Sequence, residues 1–278
     1  MENIKRFFTL ARKDITFKRI ILAFFRRLAN IPQFFLWKLP FGFAEENRNR
    51  LAKYKDIHAG KRVFIIANGP SLKYVDFGKL KNEITIGMNR IYLMKEVNGF
   101  VPTYLVCIDK KSQTLQFTDD YDNIDFPAFY NWDLRNVFKH KNRHIFLKEK
   151  LNPKFSKDLV KEPYGSGKTV TYACIQLAYF MGFDEVYLIG KDHTYNTDEK
   201  VGVPILSDGN EENHFIKGYY KPNMTWDAPD LKSEEYAYRI AKRVFEYEKK
   251  IIKDATINGQ LNVFEKVDLS TLLYNSEK

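Results

Sequence analysis

Short apolar runs closed by polar turn residues recur from Lys61 onward and predict buried strands. The first three are KRVFIIANGPSL, NEITIGMNRIYLM, in which the strand ends near Met88, and PTYLVCIDKKSQ, in which it ends at Asp109; FPAFYN and HIFLKE are shorter candidates. In GKTVTYACIQLAYFMGF the apolar residues recur at helical intervals, and Gly182 is placed to end that helix. DEVYLIG predicts another buried strand. This alternation predicts an α/β fold with a doubly wound, mostly parallel sheet.

The composition of the chain changes after this last strand. Residues 196–232 are polar and rich in aromatic side chains, and the segment is too long for a simple connection, so it predicts a lid or binding loop. SEEYAYRIAKRVFEYEKKIIKDA has the pattern of one amphipathic helix capped by Ser233. TINGQLNVFEKVDLSTLL predicts a final loop and a closing element. We therefore expect residues 59–278 to form one nucleotide-binding α/β domain with a lid.

Residues 1–58 predict a basic, aromatic, helical extension. Up to Phe43 the sequence interleaves Lys and Arg with Phe and Trp, and no uncharged run reaches the roughly 18 residues that span a bilayer. A signal peptide would need a longer apolar stretch and a small-residue cleavage site. The pattern favours a helix lying in the headgroup plane of an anionic membrane. Packing on the body of the protein or on a second subunit, as in a homo-oligomer, is the alternative.

The formal net charge of +10 favours an anionic partner, namely nucleic acid, an acidic membrane surface or a phosphorylated substrate. Nothing resembles a base-reading motif, so we expect no nucleic-acid partner. The two cysteines, Cys107 and Cys174, lie in apolar runs and are expected to be small buried hydrophobes without a disulfide. We expect a cytoplasmic protein, peripheral at the inner face of the cell membrane.

The letters GSGKT in residues 165–169 suggest a P-loop, but the spacing excludes one. Counting back from Gly167 places Glu162 where the first glycine of that motif belongs, and the preceding segment is polar rather than a buried strand. Thr169 instead lies at the start of the predicted helix, where its hydroxyl can cap free amides. Gly165 and Gly167 would let the loop approach a ligand, so an anion can bind there without a P-loop.

In open α/β sheets, ligands bind beyond the carboxyl ends of the strands, near the point where strand order reverses. IIANGPSLK carries one glycine where a dinucleotide fingerprint has three, which suits a mononucleotide. His214, in the predicted lid, is a candidate general base. No zinc-type spacing or nucleophile elbow is found, and no metal site is expected. The polar candidates at the strand ends are Asn68, Gly69, Ser71, Asn89, Arg90, Asp109, Asp192, His193 and Tyr195.

With these motifs in order, residues 61–273 resemble a bacterial family of glycosyltransferase-like proteins. Its relatives include archaeal 6-hydroxymethyl-dihydropterin pyrophosphokinases and motility-associated flagellin glycosylation factors. The chain resembles bacterial lipooligosaccharide sialyltransferases more weakly; these share the Asn-Gly-Pro-Ser-Leu loop and a strand end similar to EVYLIGKD. The segments that carry the resemblance are ANGPSL, GMNRIY, YLVCID, TVTYACIQLAYFMGFDEVYLIGKDHTY, NHFIKGYY and ATINGQLNVFEKVDL.

The resemblance implies a Rossmann-like, sialyltransferase-like GT-A variant. Asn68, Gly69 and Ser71 would hold the nucleotide phosphates and ribose, and Asn89 and Thr169 would lie beside them. His214 would deprotonate the acceptor hydroxyl, and Tyr195 would stabilise the leaving phosphate. The remaining candidates are Arg90, Asp109, Gly167 and Asp192 for nucleotide binding, and Tyr219 and Tyr220, which could donate to the departing phosphate or pack the lid.

The implied activity is inverting transfer of a sugar, from a CMP-activated donor such as a sialic-acid-like sugar, to a cell-surface glycan that could be lipid-linked. No cofactor is obligatory beyond the nucleotide-sugar. One alternative is an Mg²⁺- and ATP-dependent pterin pyrophosphokinase, for which carboxylates such as Asp109 and Asp192 should converge. The other is a non-catalytic, membrane-docked nucleotide-binding protein.

Overall fold

The computed structural model describes residues 31–196, 199–201 and 203–274. The chain divides into two compact units, Met1–Glu45 and Glu46–Lys278. In the first unit residues 31–38 are helical, whereas residues 1–30 of the predicted basic extension (residues 1–58) lie outside the described residues. Within the described part of the chain, no helix is long and apolar enough to cross a membrane.

The second unit is built on a parallel sheet of eight strands in the order β12-β11-β8-β1-β2-β3-β4-β5. Two short two-stranded sheets, β6 with β7 and β9 with β10, accompany it. The strands are β1 (Arg62–Ile66), β2 (Thr85–Met88), β3 (Tyr104–Cys107), β4 (Ala128–Asn131), β5 (Ile145–Leu147), β6 (Glu149–Lys150), β7 (Tyr164–Gly165), β8 (Glu185–Ile189), β9 (Pro204–Leu206), β10 (Thr225–Asp227), β11 (Ile251–Asp254) and β12 (Glu265–Lys266). The α-helices named here are α1 (Gly42–Ala52), α2 (Met94–Asn98), α3 (Thr118–Asp122), α4 (Val170–Phe180), α5 (Leu231–Tyr247) and α6 (Leu269–Tyr274).

The predicted α/β fold with a mostly parallel sheet is confirmed. All six apolar runs singled out in the sequence contain a strand of the main sheet, and helix α4 occupies the predicted segment. Strands β2, β3, β4 and β5 are buried along their whole length, which is expected where layers cover both faces of a parallel sheet. Cys107 and Cys174 are buried and free, as expected.

The order of the strands fixes where a ligand can bind. From β1 the chain builds outward through β2, β3 and β4 to β5, and then returns to place β8 on the other side of β1. Strand order therefore reverses between β1 and β8, and a crevice at their carboxyl ends is the expected ligand position. The loops that follow these two strands carry Asn68–Ser71 and Lys191–Tyr195.

Helix α4 packs against strands β1, β2 and β3 and lies in the core. Ten of its eleven residues are buried, so both of its faces are covered. The Thr169 hydroxyl caps it by accepting the Thr171 amide, and Gly182 follows its end with φ +88°, a conformation that glycine adopts without strain. Both predicted boundaries of this helix are thus confirmed.

The carboxyl-terminal segment differs from its prediction in two respects. The side chain that caps α5 belongs to Asp230 and not to Ser233, whose own amide and hydroxyl donate to that carboxylate. The helix ends at Tyr247, and Ile251–Asp254, predicted as a continuation of it, form strand β11 beside β8. Burial of Ile252 in register with Val186 overrides the local helical pattern, because tertiary pairing outweighs weak propensities.

The segment predicted as a lid is folded against the sheet edge rather than extended. Its strands β9 and β10 pair antiparallel, and it buries Phe215, Tyr219, Tyr220 and Trp226. The Phe215 amide donates to the Asn68 carbonyl at 3.0 Å, which ties this segment directly to the loop after β1.

Candidate functional site

The loops after β1 and β8 are bonded to each other at the point of strand reversal. The Gly69 amide donates to the Gly190 carbonyl at 2.9 Å, and Ser71 donates its amide and its hydroxyl to the Asp192 carboxylate at 3.1 and 2.8 Å. A Cβ at Gly69 would lie 1.8 Å from Asp192 Oδ2, so only glycine permits this approach. Burial raises the pKa of Asp192, and the Ser71 hydrogen bonds oppose the shift. Asp192 therefore organises the Asn-Gly-Pro-Ser loop.

Two amide side chains at adjacent strand ends have unused acceptors. Asn68 donates through Nδ2 to the Met88 carbonyl at 3.0 Å, but its Oδ1 is buried without a hydrogen-bond partner. Asn89, at the end of β2, has φ +49° and likewise keeps its Oδ1 buried and unpaired. A buried acceptor without a partner costs about 1–3 kcal/mol, so such groups need an explanation. Ligand hydroxyl or amino groups would satisfy both oxygens.

Arg90 supplies a buried positive charge next to these amides. Its side chain is held by the Tyr219 carbonyl and the Tyr92 hydroxyl, and its guanidinium lies 3.9 Å from the centroid of the Phe117 ring. Among the residues that the structure describes, no carboxylate forms a salt bridge with Arg90, although the residue is only 5% exposed. A buried cation held by neutral groups leaves positive potential for an anionic ligand.

His214 lies in a cage of aromatic rings beside Arg90. Its ring is parallel to that of Tyr219 with centroids 3.8 Å apart, and it meets Tyr220 edge-on at 5.5 Å. Its Nδ1 is buried and has no hydrogen-bond partner. Burial, together with the charge of Arg90, lowers the pKa of His214 to about 3. The imidazole is therefore neutral near pH 7 and can accept a proton.

The three tyrosines of the predicted site have different environments. The Tyr219 hydroxyl accepts the Arg90 amide at 3.2 Å, and the Tyr220 hydroxyl accepts Gln113 Nε2 at 2.5 Å, so both contribute to packing of the lid segment. Tyr195 lies apart from them, with its ring stacked 6.5 Å from that of Trp226. The structure thus joins His214, Tyr219 and Arg90 in one cluster and leaves Tyr195 on the neighbouring loop.

A buried ion pair next to this loop was not anticipated from the sequence. Lys191 donates to Glu234 at 2.8 Å, and the two residues are only 5% and 3% exposed. Burial disfavours the charged lysine, but the hydrogen bond and charge of Glu234, together with Tyr238 and Tyr195, outweigh burial and raise the pKa of Lys191. His193 lies beside the pair, and burial with the Lys191 charge lowers its pKa. Glu234 belongs to the first turn of α5, and nothing in the local sequence connects it with β8.

The GSGKT segment serves mainly to pack the chain. A Cβ at Gly167 would lie 2.6 Å from the Tyr172 ring, and one at Gly165 would lie 2.1 Å from the Lys154 carbonyl oxygen. Protein atoms therefore account for both glycines. The Thr169 hydroxyl also accepts a hydrogen bond from the Tyr238 hydroxyl at 3.3 Å. The sequence predicted that Gly165 and Gly167 let the loop approach a ligand. Close packing against protein atoms is sufficient to explain why glycine stands at both positions.

Asp109 and Asp192 are each bound within their own surroundings. Asp109 accepts the amides of Lys111 and Ser112 at 3.0 and 2.9 Å, whereas Asp192 is held by Ser71. Burial raises the pKa of Asp109, and the charge of Asp227 acts in the same direction. Among the described residues, no group of three or more His, Cys, Asp or Glu side chains could hold a metal ion.

Comparison with known proteins gives one family match and several similar folds. No curated protein matches the chain. The MAf glycosyltransferase from Magnetospirillum magneticum AMB-1 is similar, with 16% identity, a TM-score of 0.48 and coverage of 81% of this chain but 38% of that one. The Campylobacter jejuni sialyltransferase CstII, in complex with the substrate analogue cytidine-5'-monophosphate, has 16% identity, a TM-score of 0.36 and coverage of 75% and 85%. A mammalian sialyltransferase has 13% identity, a TM-score of 0.37 and coverage of 80% and 82%.

The family match is to the MptE-like proteins, described as 6-hydroxymethylpterin diphosphokinase MptE-like, and it extends over residues 38–198. These residues include α1, the strands from β1 to β8 and the loops that carry Asn68, Asn89 and Asp192. The resemblance inferred from the sequence motifs is thereby confirmed. Because the match covers more than half of the sequence, the chain belongs to the MptE-like family.

Proposed function

We propose that this protein is a glycosyltransferase that moves a sugar from a CMP-activated donor, such as a sialic-acid-like sugar, to a cell-surface glycan. The observation that carries the proposal is the position of His214. It is neutral, has an unpaired ring nitrogen, and is linked through the neighbouring Phe215 amide to Asn68 at the strand reversal. A lid histidine placed over a nucleotide loop is suited to act as a general base on an acceptor hydroxyl.

In the proposed reaction the acceptor oxygen attacks the anomeric carbon of the donor while the bond to the nucleotide phosphate breaks. His214 takes the proton of the acceptor hydroxyl, and one displacement inverts the configuration. Asn68 and Asn89 accept hydrogen bonds from the nucleotide through their unpaired oxygens. Arg90 and the Tyr195 hydroxyl stabilise the negative charge that develops on the leaving phosphate.

A pKa of about 3 makes His214 a weak base before substrate binds, because a general base works best near the ambient pH. Arg90 is one of the two causes of that low value. A bound donor phosphate would place negative charge in the same region and offset the charge of Arg90. Donor binding is therefore expected to raise the pKa of His214 toward the working range.

A pterin diphosphokinase is the second candidate, and the family description favours it. That reaction needs Mg²⁺ to neutralise the phosphates of ATP. Asp227 is close enough for its charge to raise the pKa of Asp109, and two such carboxylates are suitable oxygen ligands for this cation.

We further propose that the basic amino-terminal segment holds the protein at the inner face of the cell membrane, beside a lipid-linked acceptor. Basic and aromatic residues alternate in residues 1–43. In its described part, Phe35 and Phe41 are 65% and 63% exposed, and Ile31 and Leu36 are also exposed. Exposed aromatic groups among lysines and arginines suit the interface of an anionic bilayer. The alternatives are an oligomer contact and a non-catalytic scaffold.

The two enzyme candidates are separated by their substrates and their metal dependence. The full chain is incubated with CMP-, UDP- and GDP-sugars in the presence of EDTA, and separately with ATP, Mg²⁺ and 6-hydroxymethyl-dihydropterin. Release of CMP under EDTA, with a glycosylated acceptor detected by mass spectrometry, supports the glycosyltransferase. Diphosphate transfer that depends on Mg²⁺ supports the second candidate. Absence of turnover and of nucleotide binding in every reaction would rule out both.

A further inference from the structure

A cavity of about 390 Å³ lies within the lid segment, residues 196–232. Its volume is within the range of about 300–1,000 Å³ that is usual for small-molecule sites. Ile205 and Leu206 form an apolar wall, and carboxylate, amide and indole groups form the rest. The polar lining residues are Asn196, Asp208, Asn210, Glu211, Glu212, Asn213 and Trp226.

Two polar groups of this cavity have no partner among the residues that the structure describes. Both carboxylate oxygens of Glu211 are buried without a hydrogen bond. Trp226 is 5% exposed, and its Nε1 is also buried and unpaired. The cavity therefore offers two unsatisfied acceptors and one unsatisfied donor, and buried polar groups of this kind need a hydrogen-bonding partner. The Trp226 ring is held in place by Tyr195 and Tyr220, whose centroids each lie 6.5 Å away.

The chemistry of the lining selects one class of ligand. Three carboxylates, those of Asp208, Glu211 and Glu212, repel a phosphate or another anion. A simple cation would use the carboxylates but not the indole N–H donor. A sugar ring presents hydroxyl groups that both donate and accept, and its C–H face suits Ile205 and Leu206.

The cavity is also next to the proposed general base. Asn213, one of its lining residues, immediately precedes His214 and accepts the Asn196 amide through Oδ1 at 2.7 Å. Tyr220 contacts both the His214 ring and the Trp226 ring. A ligand in the cavity would therefore lie beside the residues that adjoin His214, and the lining residues do not include those of the Asn-Gly-Pro-Ser loop.

We propose that this cavity is the subsite for a neutral sugar of the acceptor glycan, with Glu211 and Trp226 Nε1 binding its hydroxyl groups. The inference rests on the proposed glycosyltransferase function and assigns the acceptor to a position separate from the nucleotide. It accounts for the unpaired groups of Glu211 and Trp226, which the nucleotide loops do not explain.

The test measures saccharide and nucleotide binding separately on the full chain. Methyl glycosides of galactose, glucose, N-acetylgalactosamine and N-acetylglucosamine are titrated by ligand-observed NMR, and CMP is titrated by calorimetry. We expect at least one glycoside to bind, and Glu211→Gln and Trp226→Phe to weaken that binding by about tenfold or more while CMP affinity stays the same. Glu96→Gln, an exposed acid on α2 outside the cavity, is the matched control.

Trp226→Phe removes the indole N–H but keeps an aromatic ring between the two tyrosines, and circular dichroism checks that both variants are folded. Binding of no glycoside, or equal binding by Glu211→Gln and the parent protein, would overturn the subsite. Glycoside binding without CMP binding would preserve the subsite and reject the proposed transfer from a CMP-activated donor. CMP binding without glycoside binding would reject the subsite alone.

Discussion

At the scale of single residues, the site is marked by buried polar atoms that lack partners. Asn68 Oδ1, Asn89 Oδ1 and His214 Nδ1 come from three separate loops, and each is buried without a hydrogen bond. The sequence identified all three residues from their places after strands and in the lid. The sequence also identified Arg90, but it did not show that the Arg90 guanidinium lies beside these unpaired atoms.

Replacement of the proposed base should remove activity and leave nucleotide binding intact. We expect His214→Ala to lower the rate of sugar transfer by about 10²–10⁴-fold, the usual contribution of a general base. CMP affinity, measured by calorimetry, should change little because the phosphate and ribose contacts come from other residues. His140→Ala, which alters an exposed histidine, is the control. A His214→Ala variant with the parent rate would remove this residue from the mechanism.

His214 should also make the fold sensitive to mild acid. Its pKa is about 3 in the folded protein and near 6.5 when unfolded, so between these values the unfolded state binds more protons and stability falls as pH decreases. From pH 7 to pH 5 the loss attributable to this group is about 2 kcal/mol.

The measurement compares urea unfolding of the parent protein with that of His214→Gln at both pH values. The parent should lose more stability on acidification than the variant does. His58, His144 and His193 also have pKa values lowered by burial and act in the same direction, so the comparison between the two proteins isolates His214. Equal losses in the two proteins would show that His214 is not held neutral.

Because the loops after β1 and β8 approach each other closely at Gly69, a methyl group added there should strongly destabilise the fold. Gly69→Ala would place Cβ 1.8 Å from Asp192 Oδ2 and 2.6 Å from the Gly190 carbonyl, so the two loops must separate. We expect a loss of about 1–3 kcal/mol in unfolding free energy, as for other overpacked sites. In the control Gly78→Ala, the nearest atom is 3.0 Å away on the Asp76 side chain, and little change is expected.

At the scale of elements, helix α5 connects the core to the loop after β8. Its buried face includes Ala237, Tyr238, Ala241 and Phe245, as is typical of an amphipathic helix. Its first turn carries Glu234, which neutralises Lys191 inside the protein. The helix thus positions the loop that carries Asp192 and Tyr195.

The start of α5 provides a test of the corrected cap. Asp230→Ala removes the carboxylate that accepts the Ser233 amide and hydroxyl, and should cost about 1 kcal/mol of unfolding free energy. Ser233→Ala keeps the hydrogen bond from the backbone amide of residue 233 to Asp230, so it should lower the unfolding free energy clearly less. Thermal unfolding of the two variants distinguishes them; a larger loss for Ser233→Ala would instead support the cap predicted from the sequence.

At the scale of the whole molecule, positive charge is concentrated in the amino-terminal segment, and Phe35 and Phe41 in its described part are exposed. If this segment docks on lipid, replacement of four basic residues by glutamine should weaken binding to phosphatidylglycerol vesicles by well over tenfold, since each contributes about 1 kcal/mol near an anionic surface. The parent protein should bind phosphatidylcholine vesicles only weakly. The four positions are Lys18, Arg19, Arg26 and Arg27.

Vesicle cosedimentation at two salt concentrations is the measurement, because added salt screens this attraction. The matched control replaces four exposed lysines of the second unit, Lys73, Lys79, Lys95 and Lys232. Equal loss of binding in the two variants would indicate a general effect of net charge and would contradict a specific docking segment.

The sequence by itself determined the parallel strands, helix α4 and the set of strand-end residues, because apolar periodicity and turn chemistry are local properties of the chain. Only the tertiary structure decided which of those residues meet. Neither the pairing of β1 with β8, nor the Lys191–Glu234 bond, nor the cage around His214 has a local signal. The same holds for β11, whose residues continue a helical pattern and become a strand through pairing with β8. Contacts between distant segments outweigh local propensity, and these contacts assemble the site.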